Sequence, residues 1–350
     1  MSILTTCIGA WPKPAYLTTG NWAESLAQDD SSATRSFTYT NDAAARVPES
    51  LLSQATGEAI ADQLACGVDI PTDGEQRREN YIHYHCRHIE GIDFARLTEK
   101  VHRNGAAIAA LPSVVGPVRG SDSPFLVQDF INAQSFSPRP VKITVPGPLT
   151  IVDTTANLFY ETDRELAFDL ADALNREIHH LAQAGCRYIQ VDEPLFARKV
   201  EDALGWGVEC LERCFHGLPD SVTRVMHMCC GYPGHVDDEE YLKADPDCYA
   251  RLAGAIDRSV VQQVSIEDAH RHNKLDLLEQ FQRTEVILGV VAVARSRLES
   301  MEEIRARLQQ ALNHIERERL LAAPDCGLAM LDRDFALEKL ANLCRAARSL

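Results

Sequence analysis

Residues 162–194, TDRELAFDLADALNREIHHLAQAGCRYIQVDEP, contain a helix followed by a strand and indicate the repeating unit of the fold. Thr162 and Glu165 match the pattern that caps the N-terminus of a helix, and Gly185 is typical of the residue that follows a helix C-terminus. Between them, apolar residues form one stripe at helical spacing: Leu166, Leu170, Leu174, Ile178 and Leu181. The run 188–191 then predicts a strand that is buried on both faces, as in a parallel sheet covered by helices.

The same alternation extends along the whole chain. A second capped helix is predicted at 300–319, where Ser300 and Glu303 repeat the capping pattern. Eight β-rich runs occur at 5–9, 67–71, 142–145, 188–191, 223–227, 260–266, 286–291 and 321–324. Eight strands that alternate with helices predict an α/β protein with the (β/α)8 fold, the TIM barrel.

Two stretches are too long for simple connections and are interpreted as insertions in this barrel. Residues 29–49 are polar and predict a surface excursion. Residues 91–140 become rich in Gly, Pro and Ser near their end. They are expected to hold a hairpin over the mouth of the barrel, the edge at which its strands end. No linker divides the chain, so residues 1–350 are predicted to form one catalytic domain.

Charge and composition narrow the class of protein. Among 350 residues, 51 are acidic and 35 are basic, which gives a formal net charge of −16 at pH 7. Nucleic acid and anionic membranes are therefore not expected as partners, because both attract dense clusters of Lys and Arg. The apolar run 286–294 is too short to cross a bilayer, and the N-terminus lacks the pattern of a signal peptide. The 11 cysteines are consequently expected to be reduced, in a cytoplasmic protein.

Reactive side chains follow the predicted strands at the edge where a barrel enzyme carries its active site. His227 and Cys229 are two residues apart at the end of strand five, so their side chains are expected on the same side. Glu267 and Cys326 follow strands six and eight. Two thiolates, one imidazole and an exchangeable carboxylate suit Zn²⁺. The alternative is that the His-x-Cys pair belongs to the core. Cys230 is a competing thiol, but its side chain should point away from that of Cys229.

Two carboxylates, Glu75 and Asp192, follow strands two and four and are candidates for binding the ammonium group of a small amino acid. The alternative for Asp192 is an ordinary salt bridge or a helix cap. Residues Ile8, Gly9 and Ala10 follow strand one. Their backbone N–H groups are candidates for binding a carboxylate, since glycine allows close approach.

The other cysteines and a histidine cluster are interpreted mainly as structural. Cys210 and Cys214 lie at helical spacing and predict a packed helix face, with a metal pair as the alternative. Three thiols are expected in the core: Cys7, Cys66 and Cys186. No role is predicted for three more: Cys86, Cys248 and Cys344. A solvated helix face, with metal binding as the alternative, is predicted for a histidine cluster: His83, His85 and His88.

Seven short motifs, taken together and in order, resemble the catalytic barrel of cobalamin-independent methionine synthase: TTCIGAWPKP, GVDIPTDGEQRREN, TVPGPLT, IQVDEP, MHMC, SIED and DCG. The resemblance covers essentially the whole chain. It is to the C-terminal, zinc-bearing barrel of a family with two barrels, so the chain resembles the single-barrel type. It implies a set of Zn²⁺ ligands: His227, Cys229, Glu267 and Cys326. It also implies homocysteine, with its amino group at Glu75 and Asp192 and its carboxylate near Ile8, Gly9 and Ala10.

The chain departs from the family pattern in several places, chiefly in the half of the site that binds folate. Ala10 stands where the family has a serine, and Asp73 where it has a histidine. Ala294 stands where the family has a histidine thought to protonate the folate leaving group, and residues 151–154 lack the tryptophan on which the pterin would stack. Methyl-folate is therefore doubtful as the donor. The donor is left open between a methylated corrinoid or other partner protein, another small methyl donor, and folate bound in a different way.

The predicted function is zinc-dependent transfer of a methyl group to the thiol of homocysteine, which forms methionine. One alternative is alkyl transfer to another thiol, such as coenzyme M. The carboxylates Glu75 and Asp192 argue against that thiol, because coenzyme M has no ammonium group for them to bind. The alternative from another class is a zinc- or thiol-binding protein without catalytic activity.

Overall fold

The computed structural model describes residues 2–17, 47–102, 107–231, 235–238 and 243–350, in which parallel strands are surrounded by helices. The strands are β1 (Leu4–Thr5), β2 (Ile89–His102), β3 (Ala107–Gly120), β4 (Lys142–Pro146), β5 (Ala156–Asn157), β6 (Tyr188–Asp192), β7 (Thr223–Met228), β8 (Gln263–Ile266), β9 (Glu285–Val291) and β10 (Leu320–Pro324). The α-helices are α1 (Glu49–Cys66), α2 (His83–Cys86), α3 (Leu126–Ser135), α4 (Pro148–Asp153), α5 (Asp163–Gln183), α6 (Val200–Asp202), α7 (Val208–Cys214), α8 (Cys248–Arg258), α9 (Met301–Ala311) and α10 (Arg333–Arg348).

Seven strands form one parallel sheet in the order β1-β10-β9-β8-β7-β6-β4. Residues 69–72 join the two ends of this sheet through isolated bridges, to Thr6 on one side and to Lys142 on the other. This segment takes the place of the predicted second strand, and the predicted (β/α)8 barrel is confirmed. The second strand is irregular because Pro71 has no N–H to donate, although its carbonyl accepts a hydrogen bond of 2.8 Å from the N–H of Lys142.

The two helices predicted from capping patterns are both present. The Thr162 hydroxyl accepts a hydrogen bond of 3.2 Å from the N–H of Glu165 at the start of α5. A complete capping box precedes α9, but the predicted span 300–319 is too long, because this helix ends at Ala311. A turn follows at once and allows Ile315 to pack in the core before the chain enters β10. No helix among the described residues is long and apolar enough to span a membrane.

Apolar side chains fill the barrel on the inside as well as between strands and helices. The inner layer is formed by Ile8, Ile70, Val225, Ile287, Leu321 and Ala323. Lys142 is also buried, and its Nζ has no hydrogen-bond partner among the described residues. Because the interior is packed, the side chains available for chemistry are those at the mouth.

The insertion predicted at 91–140 contains a long antiparallel hairpin, β2 and β3, followed by α3. The hairpin packs beside the barrel against α5, where Gly120 approaches the backbone of Ala173 so closely that a Cβ atom would lie 2.6 Å from its carbonyl oxygen. Lys100 of β2 donates hydrogen bonds to the carbonyls of Val152 (2.7 Å) and Thr155 (2.8 Å), at the C-terminal end of α4, the helix that follows β4. Most of the other predicted insertion, residues 29–46 of 29–49, lies outside the described residues.

The interpretation of the histidine cluster as a solvated helix face is wrong. His83 and His85 of α2 are buried, and burial lowers the pKa of His85 well below its usual value. His88 stacks on Phe125, with ring centroids 4.2 Å apart and planes inclined by 7°. Phe94 of the hairpin packs edge-on against His83. The insertion therefore covers this face, which could not be seen from helical spacing alone.

Most cysteines predicted to be structural are buried thiols. Cys210 and Cys214 are fully buried on α7, and Cys66 is half-buried at the end of α1. The remaining thiols away from the mouth are also buried: Cys7, Cys86, Cys186 and Cys344.

Candidate metal centre and active site

Three of the four predicted zinc ligands lie together at the mouth of the barrel. The ligand atoms of His227, Cys229 and Cys326 are all within 4.8 Å of one another. His227 lies on β7, Cys229 follows that strand, and Cys326 follows β10. His227 and Cys229 are each only 2% exposed, whereas Cys326 is partly exposed, so this group is shielded from bulk water on one side only.

The neighbouring strand orients the imidazole of His227. Its Nδ1 atom lies 3.0 Å from the hydroxyl of Ser265, the residue paired with it on β8, which leaves Nε2 directed at the Cys326 sulfur 3.2 Å away. Such a contact on the far ring nitrogen is typical of metal-binding histidines. Burial acts to raise the pKa of Cys229, but the hydrogen bond and charge of His227 bring it below its usual value. A lower pKa favours the thiolate, the form that binds metals.

The fourth predicted ligand, Glu267, lies beside this group but points towards the loop that follows β7. Its Oε1 atom accepts a hydrogen bond of 3.1 Å from Lys243, and its Oε2 atom accepts one of 2.9 Å from the N–H of Cys230. The carboxylate falls within 4.8 Å of ligand atoms of His270 and Asp325. Burial, together with the charge of Asp325, raises the pKa of Glu267.

Asp325 joins the loop after β8 to the loop after β10. Its carboxylate accepts hydrogen bonds from three successive N–H groups, those of Asp268 (3.0 Å), Ala269 (2.9 Å) and His270 (2.7 Å). It also lies 2.8 Å from the Nδ1 atom of His270. These contacts fix the position of Glu267 relative to Cys326, because each of those two residues is the chain neighbour of a member of the network.

Glu75 and Asp192, the predicted amino-acid ligands, lie close enough for each charge to affect the other. Burial raises the pKa of Asp192 to about 7, and the nearby Glu75 charge also raises it whereas His227 lowers it. Gln190 donates a hydrogen bond of 2.7 Å to Asp192, and Thr144 donates one of 2.8 Å to Glu75. Asp192 and His227 are paired residues on β6 and β7, so the two carboxylates border the cluster of His227, Cys229 and Cys326.

The segment of Ile8, Gly9 and Ala10 lies against these carboxylates and against the Cys326 loop. A Cβ atom on Gly9 would lie 2.5 Å from the Glu75 carboxylate, so only glycine allows this approach. The Ile8 carbonyl accepts a hydrogen bond of 2.7 Å from Gln190, and the Ala10 carbonyl accepts one of 2.8 Å from the N–H of Leu328.

A buried arginine supports Glu75 and was not predicted from the sequence. Arg78 lies 3.4 Å from Glu75 and 3.4 Å from Asp73, and it donates a hydrogen bond of 2.6 Å to Thr144. Glu75 itself has a positive φ of 54°, an uncommon conformation for this residue type. The available signal was the position of Arg78 in the same motif as Glu75, but spacing alone does not reveal the contact.

Similarity to known proteins identifies the family of this chain. A family model described as cobalamin-independent synthase, catalytic domain, matches residues 3–349. The chain belongs to this family. Methionine synthases of Saccharolobus solfataricus and Sulfolobus acidocaldarius are 30% and 29% identical over 351 and 347 residues, covering 98% and 97% of this chain and 93% and 90% of theirs. The chain is therefore a methyltransferase, and the family predicted from the motifs is confirmed.

Solved structures show the same architecture. A B12-independent methionine synthase from Shewanella sp. W3-18-1, in complex with selenomethionine, has a TM-score of 0.83 and 27% identity, and the match covers 99% of this chain and 97% of that chain. A vitamin-B12-independent methionine synthase from Listeria monocytogenes, described as putative, matches at a TM-score of 0.70 and 16% identity, which supports the fold alone. Family membership supports methyl transfer to homocysteine as the class of reaction.

Glu193 has a structural role in this chain, although its neighbour Asp192 borders the site. One Glu193 oxygen accepts a hydrogen bond of 2.9 Å from the N–H of Leu149. The other accepts hydrogen bonds from the N–H (3.0 Å) and hydroxyl (2.7 Å) of Thr150. These donors are at the N-terminus of α4, so the carboxylate caps that helix from a different strand. Burial raises the pKa of Glu193 to about 8.

Cys230 does not join the cluster of His227, Cys229 and Cys326. Its N–H contacts Glu267, and its sulfur accepts a hydrogen bond of 3.0 Å from Arg271. Its thiol is also in hydrogen-bonding contact with Cys248, which raises the pKa of Cys230. The side chain therefore points away from Cys229, as its place in the sequence predicted.

Proposed function

We propose that this protein transfers a methyl group to the thiol of homocysteine, forming methionine, with Zn²⁺ held by His227, Cys229, Glu267 and Cys326. The observation that carries the proposal is the pairing of Asp192 with His227 on adjacent strands. A carboxylate suited to an ammonium group and a cluster suited to a thiol-binding metal are thereby placed side by side. Homocysteine has both groups, separated by a short carbon chain.

The residues present fit zinc. Two cysteine sulfurs and one imidazole nitrogen within 4.8 Å form a donor set that zinc prefers, and a nearby carboxylate can be exchanged for substrate. When bound, zinc would lower the pKa of a substrate thiol, so that the sulfur becomes a nucleophilic thiolate at neutral pH. The burial of His227 and Cys229 keeps competing water away from this position.

The protein residues around the cluster hold the amino acid. Glu75 and Asp192 accept hydrogen bonds from the ammonium group, and the backbone around Gly9 lies beside its carboxylate. Arg78 holds Glu75 in place through Thr144, which donates a hydrogen bond to that carboxylate. Gln190 holds Asp192 in place by a direct hydrogen bond. This arrangement fixes the sulfur near the metal and contributes proximity to the reaction rather than a chemical step.

The donor differs from methyl-folate bound in the family mode. Ile151 and Val152, in the segment that lacks the expected tryptophan, are buried. Ala294 is also buried, and its methyl side chain has no proton to transfer. Its backbone N–H donates a hydrogen bond of 3.2 Å to the Nε2 atom of His270. The candidate donors are therefore a methylated corrinoid or other partner protein, another small methyl donor, and folate bound in a different way.

Binding and growth experiments test the proposal. Calorimetry on the zinc-loaded protein compares L-homocysteine with coenzyme M, and we expect binding of homocysteine alone. Equal binding of both would favour alkyl transfer to another thiol. Growth rescue of a methionine-requiring strain, with methylcobalamin, methyl-folate and sulfonium donors supplied in turn, then tests catalysis. Failure with every donor would contradict methionine formation.

A further inference from the structure

Lys243 is in direct contact with Glu267, the predicted exchangeable ligand. The Nζ atom of Lys243 lies 3.1 Å from the Oε1 atom of Glu267. The carboxylate is only 3% exposed, whereas the lysine side chain is 21% exposed and reaches in from the loop between β7 and α8. This lysine is neither a proposed metal ligand nor one of the residues proposed to hold the amino acid.

We propose that Lys243 is a positioning residue that receives the Glu267 carboxylate when the sulfur of homocysteine replaces it on the metal. This inference rests on the proposed function, and it adds a residue that controls how readily substrate enters. In the absence of substrate the carboxylate binds the metal, and in its presence the carboxylate pairs with Lys243.

The surroundings of Glu267 allow its side chain to move while its backbone stays fixed. The backbone N–H of Glu267 donates a hydrogen bond of 3.1 Å to the hydroxyl of Tyr249, and Asp325 holds the residues that follow. The carboxylate, in contrast, has two hydrogen-bond donors among the described residues, Lys243 and the N–H of Cys230. Since Cys230 is the chain neighbour of Cys229, the carboxylate lies beside the cluster of His227, Cys229 and Cys326. In the proposed exchange, rotation of the Glu267 side chain turns the carboxylate towards this cluster.

A displaced carboxylate requires a positive partner in this environment. Burying an unpaired carboxylate is costly, and the nearby Asp325 and Cys229 are themselves acidic groups. Arg271 also influences the region, but its guanidinium donates to the Cys230 sulfur and to the Ala244 carbonyl. Lys243 is therefore the cation placed to neutralise the carboxylate by direct contact.

The exchange balances in atoms and charge. The bond between a Glu267 oxygen and the metal breaks, and a bond between the homocysteine sulfur and the metal forms. The thiol proton leaves to solvent, so one anionic ligand replaces another. The freed carboxylate remains ionised and ends in the ion pair with Lys243.

Three variants separate this role from a purely structural one. Lys243→Met removes the charge at similar length, Lys243→Arg retains a cation, and Lys274→Met is a matched control on the exposed loop after β8. Each protein is loaded with zinc. Calorimetry then measures the Kd of L-homocysteine, a competing chelator measures zinc affinity, and X-ray absorption counts the sulfur ligands.

We expect Lys243→Met to bind zinc at least as tightly as the unmodified protein but to bind homocysteine about tenfold more weakly, equivalent to about 1.4 kcal/mol. The third sulfur ligand should then appear only at higher homocysteine concentration. Lys243→Arg should restore most of the affinity, and Lys274→Met should match the unmodified protein.

A rise of less than threefold in the homocysteine Kd of Lys243→Met would overturn the role of the lysine, and so would an equal loss in Lys243→Arg. Failure of the proposed function gives a different result. In that case the unmodified protein would bind no zinc, or would gain no sulfur ligand when homocysteine is added.

Discussion

The Nε2 atom of His227 lies 3.2 Å from the Sγ atom of Cys326, although 99 positions separate the two residues in the chain. The contact exists because the ends of β7 and β10 face the same mouth of a closed barrel. A metal at this point would link segments that join only in the folded state. Metal binding and folding are therefore expected to support each other.

Removal of one thiol should abolish high-affinity zinc binding. In Cys326→Ala the remaining set lacks a sulfur, so we expect the zinc content after dialysis against a chelator to fall from about one per chain to nearly none. Elemental analysis measures this content. Cys66→Ala is the matched control, because Cys66 is half-buried at the end of α1 and contacts the Leu337 carbonyl instead. Equal zinc retention in both variants would contradict the metal site.

Substitution of the amino-acid ligands should weaken binding of the product L-methionine, whose thioether does not titrate. Glu75→Gln and Asp192→Asn each remove a charge-assisted hydrogen bond, and we expect the Kd to rise at least about tenfold. Asp172→Asn, an exposed position on α5, is the control. Calorimetry that finds all three variants equal to the unmodified protein would reject this assignment.

The same binding should depend on pH through Asp192. Burial raises its pKa to about 7, so the carboxyl group gains a proton as the pH falls through 7 and loses its attraction for ammonium. The Kd of L-methionine should therefore be lower at pH 8 than at pH 6. Asp192→Asn should remove this difference, and calorimetry at both pH values checks it.

Loss of the Glu193 carboxylate should affect stability. In Glu193→Ala the N–H groups of Leu149 and Thr150 lose their acceptor, and an unsatisfied buried donor costs about 1–3 kcal/mol. We expect a decrease of at least about 2 kcal/mol in the free energy of unfolding, measured by denaturant titration. Glu209→Ala, which removes an exposed carboxylate on α7, should have little effect. Equal stability of the two variants would contradict the capping role.

The buried Lys142 predicts a pH-dependent stability. Burial lowers its pKa from 10.5 to about 8, so between these values the unfolded chain binds more protons than the folded chain. Stability relative to Lys142→Met should therefore rise with pH across this window, by up to about 3 kcal/mol. Unfolding curves at pH 7.5 and 10.5 measure the change. Lys274→Met, at an exposed lysine, should show no such trend, and a flat difference for Lys142→Met would refute the effect.

The barrel and the placement of candidate site residues were predictable because both follow from local patterns. Capping residues and apolar stripes predicted α5, and residues that follow parallel strands must meet at one mouth. This rule brought His227 and Cys326 to the same place. The same rule identified Asp192 as a site residue. Side chains of adjacent residues point in opposite directions along an extended chain, so Asp192 faces the site and its neighbour Glu193 does not.

Contacts between distant loops were not predictable. Lys243 lies in a polar stretch without periodicity, and nothing local indicates that it reaches Glu267. Nothing in the sequence around Asp325 indicates its contacts, yet its carboxylate accepts hydrogen bonds from three N–H groups of another loop. The prediction for the histidines of α2 is wrong for the same reason. Helical spacing describes only the helix itself, whereas these side chains are covered by the insertion at 91–140.

The barrel has one segment with few hydrogen bonds to its neighbouring strands. Residues 69–72 are connected to their neighbours by isolated bridges, whereas β7 pairs with β6 over five residues and with β8 over four. Fewer hydrogen bonds must break for the backbone to open there, so the amide protons of residues 69–72 should exchange with deuterium sooner than those of β7. Glu75 lies three residues beyond this segment, so the proposed amino-acid side of the site adjoins the part of the barrel that opens most easily, while His227 lies on a strand with ladders on both sides.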